Sequence, residues 1–269
     1  MANTATTAQT LVFSRDWMHY QTELEGHPAL MGVDLSAPEL GSNHHHHTRF
    51  IRVAYEGDET GLPNKADARR LQQLLTSIHA YLQDQADTAA HVRYVGHVYS
   101  HGVADFVYVS DADLTWPQSI AAALGDNEDI DYVAATFPND DWAFYFETLY
   151  PSALDLALDY TQNTCQQLRR SGDALAQSRA IDYYASFPNQ AAAQAFVAQL
   201  PSRFTVVAQE AEEADDADEA PWWAIQFGAE DVPDLVTMTA MTHELVPLVS
   251  AQEGQFDGWG TEALADKPA

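Results

Sequence analysis

The side chains in this 269-residue chain with the chemistry for a reaction or a metal are histidines, acids and one cysteine. His44 to His47 are consecutive, and neutral imidazole is a general ligand for Zn²⁺, Cu²⁺ and Ni²⁺. Four adjacent residues in a loop do not close a tetrahedral site, and no cysteine pair or spaced histidine pair completes one. His97 and His101 fall on a hairpin, within reach of Asp105. Asp140 and Asp141 would suit acid/base work, but adjacent carboxylates single out nothing in a chain with 40 acids. Cys165 falls on the apolar stripe of a helix, the setting of a buried thiol rather than a nucleophile. The Gly-x-Ser-x-Gly elbow and the Gly-x-x-x-x-Gly-Lys and Gly-x-Gly-x-x-Gly phosphate loops are absent. The sequence therefore predicts no catalytic residue, no cofactor and no metal. The competing reading is an enzyme or metal-dependent protein that uses the histidines of the N-terminal half.

Net charge narrows the partners. It is −28, from 40 acidic against 12 basic residues, and Lys65 and Lys267 are the only lysines. Direct binding to a phosphate backbone depends on cationic contacts, so nucleic acid is disfavoured, and anionic membranes equally so. Three explanations remain: a basic protein partner, mimicry of nucleic-acid charge, or a hydrated acidic surface adapted to a salty cytoplasm. Met1 to Thr10 lacks a basic and an apolar stretch, and no run of about 18 apolar residues occurs, so a cytoplasmic protein is expected.

The elements that must position these residues are written in the periodicities. Trp17 to Leu24 and Ala29 to Leu35 alternate around Glu25-Gly26 as an opening hairpin. Phe50 to Tyr55 reads as a strand. Leu71, Leu74, Leu75, Ile78 and Leu82 recur at helical spacing over residues 66–85. Val92 to Tyr99 and Ala104 to Val109 flank His101-Gly102 as a second hairpin, followed by a helix over 116–124 and a strand over 131–137. A long helix is expected over 152–170, with Leu154, Leu158, Thr161, Cys165 and Leu168 on one stripe, and residues 152–175 would link the halves. Strand, helix, strand, strand, helix, strand then repeats from Ile181, with Asp231 as the expected N-cap of the last helix. The fold class is thus α+β: two ferredoxin-like βαββαβ antiparallel sandwiches in series, the first preceded by a β-hairpin. Each sheet is expected to leave one face to solvent or a partner.

Candidate contact residues follow from that open face. Trp222 and Trp223 are adjacent in a strand, so they point to opposite faces and only one enters the core. Beside them runs an acidic tract, Glu210 to Glu219. An aromatic ferredoxin-like face also serves RNA recognition, but the basic residues that accompany base stacking are missing. The closing run Phe256-Asp257-Gly258-Trp259-Gly260-Thr261-Glu262 places a tryptophan between two glycines and adds Asp257 and Trp259 to the candidates.

With Asp182-Tyr183-Tyr184-Ala185, that closing run makes residues 178–264 resemble the regulators of ribonuclease E activity B, acidic bacterial inhibitors of that endoribonuclease. Residues 13–151 resemble the bacterial domain of unknown function numbered 695. Trp17, Tyr20, Gly61-Leu62-Pro63, Val95-Gly96, Asp141-Trp142-Ala143-Phe144-Tyr145 and Leu149-Tyr150-Pro151 carry that likeness. The first resemblance implies a non-enzymatic regulator with a protein partner, a ribonuclease; the second implies no activity. An acidic, salt-adapted protein with an unrelated partner is the remaining alternative, and no oligomeric state is set.

Overall fold

The computed structural model describes residues 16–38, 47–84, 92–110, 115–125, 130–137, 140–211 and 222–264. His44 to His46 and the acidic tract from Glu212 to Glu219 lie outside them. The chain divides into two compact units, residues 1–150 and 151–269.

In the first unit, β1 (Trp17–Leu24) and β2 (His27–Asp34) form the expected hairpin. Its turn residues Glu25 and Gly26 both have positive φ (52° and 81°), the backbone twist a two-residue hairpin turn requires. Strands β3 (His47–Ala54), β4 (Val92–Ser100), β5 (Val103–Ser110) and β6 (Tyr132–Phe137) complete an antiparallel sheet of order β1-β2-β4-β5-β3-β6. The hairpin therefore extends the ferredoxin-like sheet along the free edge of β4. Helix α1 (Lys65–Asp84) starts where Asn64 Oδ1 accepts the amides of Ala66 and Asp67, and Asp67 reaches back to the Asn64 amide. Its stripe of Leu71, Leu74, Ile78 and Leu82 packs on Ile51, Val53, Phe106 and Tyr108, beside Trp116 and Ile120 of α2 (Trp116–Leu124).

One expectation fails in this unit: the sheet face away from α1 and α2 is not left open. Asp140 accepts from the Thr48 hydroxyl at 2.6 Å and from the Phe144 amide, and Asp141 and Trp142 turn with positive φ. A π-helical turn, Tyr145–Leu149, then lies over β2 and β4. Tyr145 donates to the Asp34 carbonyl at 2.8 Å, and Tyr20 donates to the Leu149 carbonyl at 2.9 Å. Gly96 makes the approach possible: a Cβ there would sit 3.0 Å from Leu149 Cδ1 and 2.6 Å from the Gly32 carbonyl. Trp142, Tyr145 and Leu149 are buried as a result.

The second unit begins with α3 (Ala153–Arg170), capped by a reciprocal Ser152–Asp155 box. Ala157, Thr161, Cys165 and Leu168 are its buried positions, so the expected stripe holds in its second half, while Ala157 takes the place of Leu154 and Leu158 in the first. Strands β7 (Arg179–Phe187), β8 (Thr205–Ala211), β9 (Trp223–Asp231) and β10 (Gln255–Gly260) form an antiparallel sheet of order β10-β7-β9-β8. Numbered from its own first strand this is 4-1-3-2, the same plan as β6-β3-β5-β4 in the first unit. Helices α3, α4 (Gln190–Gln199) and α5 (Leu235–Ser250) all contribute to one core with Ile181, Tyr183, Ala185 and Phe187. The N-cap of α5 is Asp234, which accepts the amides of Val236 and Thr237, and not Asp231. Pro233 thereby falls outside the helix.

Candidate functional site

The closing strand is built around Trp259. Its register opposite Tyr183 turns the indole into the core, where it is 1% exposed. Nε1 donates to Thr161 Oγ1 at 3.1 Å, Thr161 and Thr242 share a bond at 2.9 Å, and Thr242 donates to the Met238 carbonyl at 2.8 Å. Because the two ends fix the direction, Thr161 is the donor to Thr242, and one polar chain runs through β10, α3 and α5. Gly258 allows this: its φ is 112°, and a Cβ there would lie 2.5 Å from the Tyr160 ring, whose hydroxyl donates to the Trp259 carbonyl. Thr261 donates to the Ala180 carbonyl at 2.7 Å and accepts from Arg179, which pairs with buried Asp173 at 2.6 Å. Most of the closing motif is thus an internal fastening. Trp259 corrects the expectation that it contacts a partner, since nothing outside the core can reach the indole.

Asp257 is placed differently. The register slips between Phe256 and Gly258, so Asp257 is the extra residue of a β-bulge and is exposed, with its carboxylate accepting from the Ser186 hydroxyl at 2.9 Å. Ser186 belongs to the sheet face away from the helices. Register sets out that face in rows: Glu210, Ala224, Ser186 and Gln255, then Ala208, Gln226, Tyr184 and Gly258, then Thr205, Gly228, Asp182 and Gly260. Small and polar residues make it flat, and Tyr184 in the central strand stands out of it at 41% exposure. Trp222, at the entry to β9, is equally exposed, whereas Trp223 packs against the core opposite Phe187 and Ala211. The charged residues in these rows are acids, Glu210 and Asp182, with Asp257 beside them; Arg179 is taken by Asp173 and Arg203 by Glu244. Tyr184 is the surface residue that sequence reasoning passed over. The alternation of Ile181, Tyr183 and Ala185 already assigned it to the opposite face.

The histidines of the first unit do not converge on a reaction centre. His97 lies on the helix side of its sheet, stacked on Trp17 and Tyr94, with Nδ1 bonded to the Tyr94 hydroxyl at 2.8 Å. Its ring lies directly over Gly32, where a Cβ would come within 2.2 Å. Burial, and then the neighbouring His19, holds it down to about 4, and burial does the same to His79 on α1. A bulge at Val95 shifts the alternation of β4, so His97 faces away from Asp105, which instead binds Arg52 through two contacts of 2.7 Å. The His101 and His27 rings meet at the tips of the two hairpins, 4.2 Å apart and tilted by 34°. His47 opens β3 opposite Ser110. Among the described residues, no three His, Cys, Asp or Glu side chains are gathered to hold a metal. Cys165 is buried, and burial pushes its thiol up.

Residues 15–150, just over half of the chain, match the family described as Family of unknown function (DUF695). The chain belongs to that family. The DUF695 match ends with the π-helical turn that covers the first sheet. Residues 158–261 match a second family, Regulator of ribonuclease activity B. That match opens inside α3, and so takes in Thr161 together with its Trp259 partner. No curated protein matches the chain. The crystal structure of an unknown protein from Galdieria sulphuraria aligns with 78% of this chain and 95% of its own, at 11% identity and a TM-score of 0.22, too low to carry a structural argument.

Proposed function

We propose that this protein is a non-enzymatic cytoplasmic regulator whose second unit binds a ribonuclease of the ribonuclease E type. The observation that carries the reading is the match of residues 158–261 to Regulator of ribonuclease activity B. The geometry supports a protein surface rather than a catalytic one. Tyr184 and Trp222 offer large contact area at little entropic cost on a flat, acid-edged face, and such aromatics commonly anchor interfaces. A net charge of −28 favours a basic segment of the partner and opposes direct contact with RNA. Among the described residues no helix is long and apolar enough to cross a membrane. The test is association of the full chain with ribonuclease E from the same organism at low salt, read together with the rate of RNA cleavage. Complex formation with slowed cleavage is expected; absence of both sinks the proposal.

A further inference from the structure

The segment that covers the second face of the first sheet packs over β2 and β4, and the β6 end of that face keeps an apolar strip. Register places Val133, Ala135 and Phe137 of β6 beside Arg52, Phe50 and Thr48 of β3. Val133 is 56% exposed and Phe137 45%, and the Phe137 ring lies 5.0 Å from that of Phe50 and 6.2 Å from that of Phe144. Apolar side chains exposed singly are ordinary surface, whereas a contiguous run of them marks an interaction site.

β6 also ends its sheet, which leaves backbone N–H and C=O groups on its outer side as a template for a further strand. The other three sheet edges are guarded. β8 and β10 are each broken by a bulge, and β1 carries the exposed Glu23. In β6, Tyr132–Phe137, no charge, proline or bulge interrupts six residues in continuous register with β3. An open backbone edge beside alternate apolar side chains is complementary to an extended chain: main-chain bonds supply affinity, and every second side chain meets the strip.

The surrounding charge sets the composition of that chain. Asp131 precedes the strand and Asp140 and Asp141 follow it, while Arg52, beside the strip, is held by Asp105 at 2.7 Å. The strip is therefore apolar with acidic ends, and cations at both ends of an incoming segment complement it. A second copy of this chain would instead set these carboxylates against their equals, in a protein of net charge −28.

We propose that β6 accepts an extended segment of a partner protein as a further strand of the first sheet, with apolar side chains at alternate positions over Val133, Ala135 and Phe137 and basic residues at its ends. The site belongs to the first unit and stands independently of ribonuclease binding.

The probe is the end-blocked peptide Lys-Val-Thr-Val-Thr-Val-Lys, added to the full-length protein at low salt and followed by amide hydrogen exchange. Strand addition bonds only the outward N–H groups of β6, so alternate amides within residues 132–137 are expected to slow by about tenfold or more at saturation. The same peptide with glutamate at both ends is expected to bind about tenfold more weakly. Val133→Lys supplies the guard that this edge lacks and is expected to weaken the lysine peptide by at least about tenfold. Unchanged exchange in residues 132–137, equal protection by the glutamate peptide, or undiminished protection in Val133→Lys overturns the proposal. So does sedimentation of the free protein as a dimer that Val133→Lys separates, since a second copy would then hold the edge. The comparison of the two peptides uses the unaltered protein, so it decides even if the variant does not fold.

Discussion

The two sheets of this protein share a strand plan and differ in what lies on their second face. In the first, two added strands and the segment from Asp140 to Tyr150 bury Trp142, Tyr145 and Leu149 against it. In the second, the corresponding face carries Tyr184, 41% exposed, among alanines, glycines and polar residues. The same topology therefore yields one sheet closed except at its β6 end and one open sheet. Appended segments, rather than the βαββαβ core, decide which surface is left for a partner.

The sharpest way to break the comparison is to unfasten one unit and watch the other. Trp259→Ala removes a fully buried indole and takes away the donor to Thr161 Oγ1, at a cost of ~3–5 kcal/mol. Amide hydrogen exchange resolved by unit is expected to show residues 151–269 opening and residues 16–150 unchanged. Equal loss of protection in both would contradict two separately folded units.

Acid should act in the opposite sense. His79 and His97, in the first unit, are held down to about 4 from 6.5, so the unfolded chain binds protons that the folded unit refuses. Their contribution is constant above about pH 6.5 and becomes a growing penalty as pH falls towards 4. Between pH 6.5 and 5 the first unit is expected to lose about 2–4 kcal/mol. The second unit, whose single histidine, His243, is exposed, should lack this loss. Exchange protection measured across that window checks it, and a flat profile for the first unit would refute the neutral, buried assignment.

Tyr145→Phe is the smaller perturbation. It removes the bond to the Asp34 carbonyl and should cost about 1–2 kcal/mol, localised to protection in residues 140–150. Spread of the effect through the helix-side core would mean that the covering segment is integral to it.

What the sequence disclosed follows from how regular each signal was. Alternation in Ile181, Tyr183, Ala185 and Phe187, helical spacing from Leu71 to Leu82, and the His101-Gly102 turn all repeat locally, and each led to the element found. The cover on the first sheet does not repeat: it depends on positive φ at Asp141 and Trp142 and on a contact from Tyr145 to Asp34, 111 residues away. The bulge at Val95 was equally silent, and one inserted residue sufficed to turn His97 away from Asp105. Asp231 precedes Pro233 by two residues, which would put the proline in a first turn, but Asp234, one residue after it, is the cap. At the candidate site, the closing motif was visible and its role was inverted. Gly258 admits the Tyr160 ring beside a Trp259 that enters the core, while the exposed aromatics are Tyr184 and Trp222.

The proposed ribonuclease-binding surface is the open face of the second sheet. Its most direct test is the double variant Tyr184→Ser, Trp222→Ser, since both side chains are exposed and their loss should change stability by no more than about 0.5 kcal/mol. The unaltered protein is expected to bind ribonuclease E at low salt and slow its cleavage of RNA, and the double variant to lose at least about tenfold in affinity with unfolding unchanged. Undiminished binding and inhibition by the variant would contradict the assignment of this face.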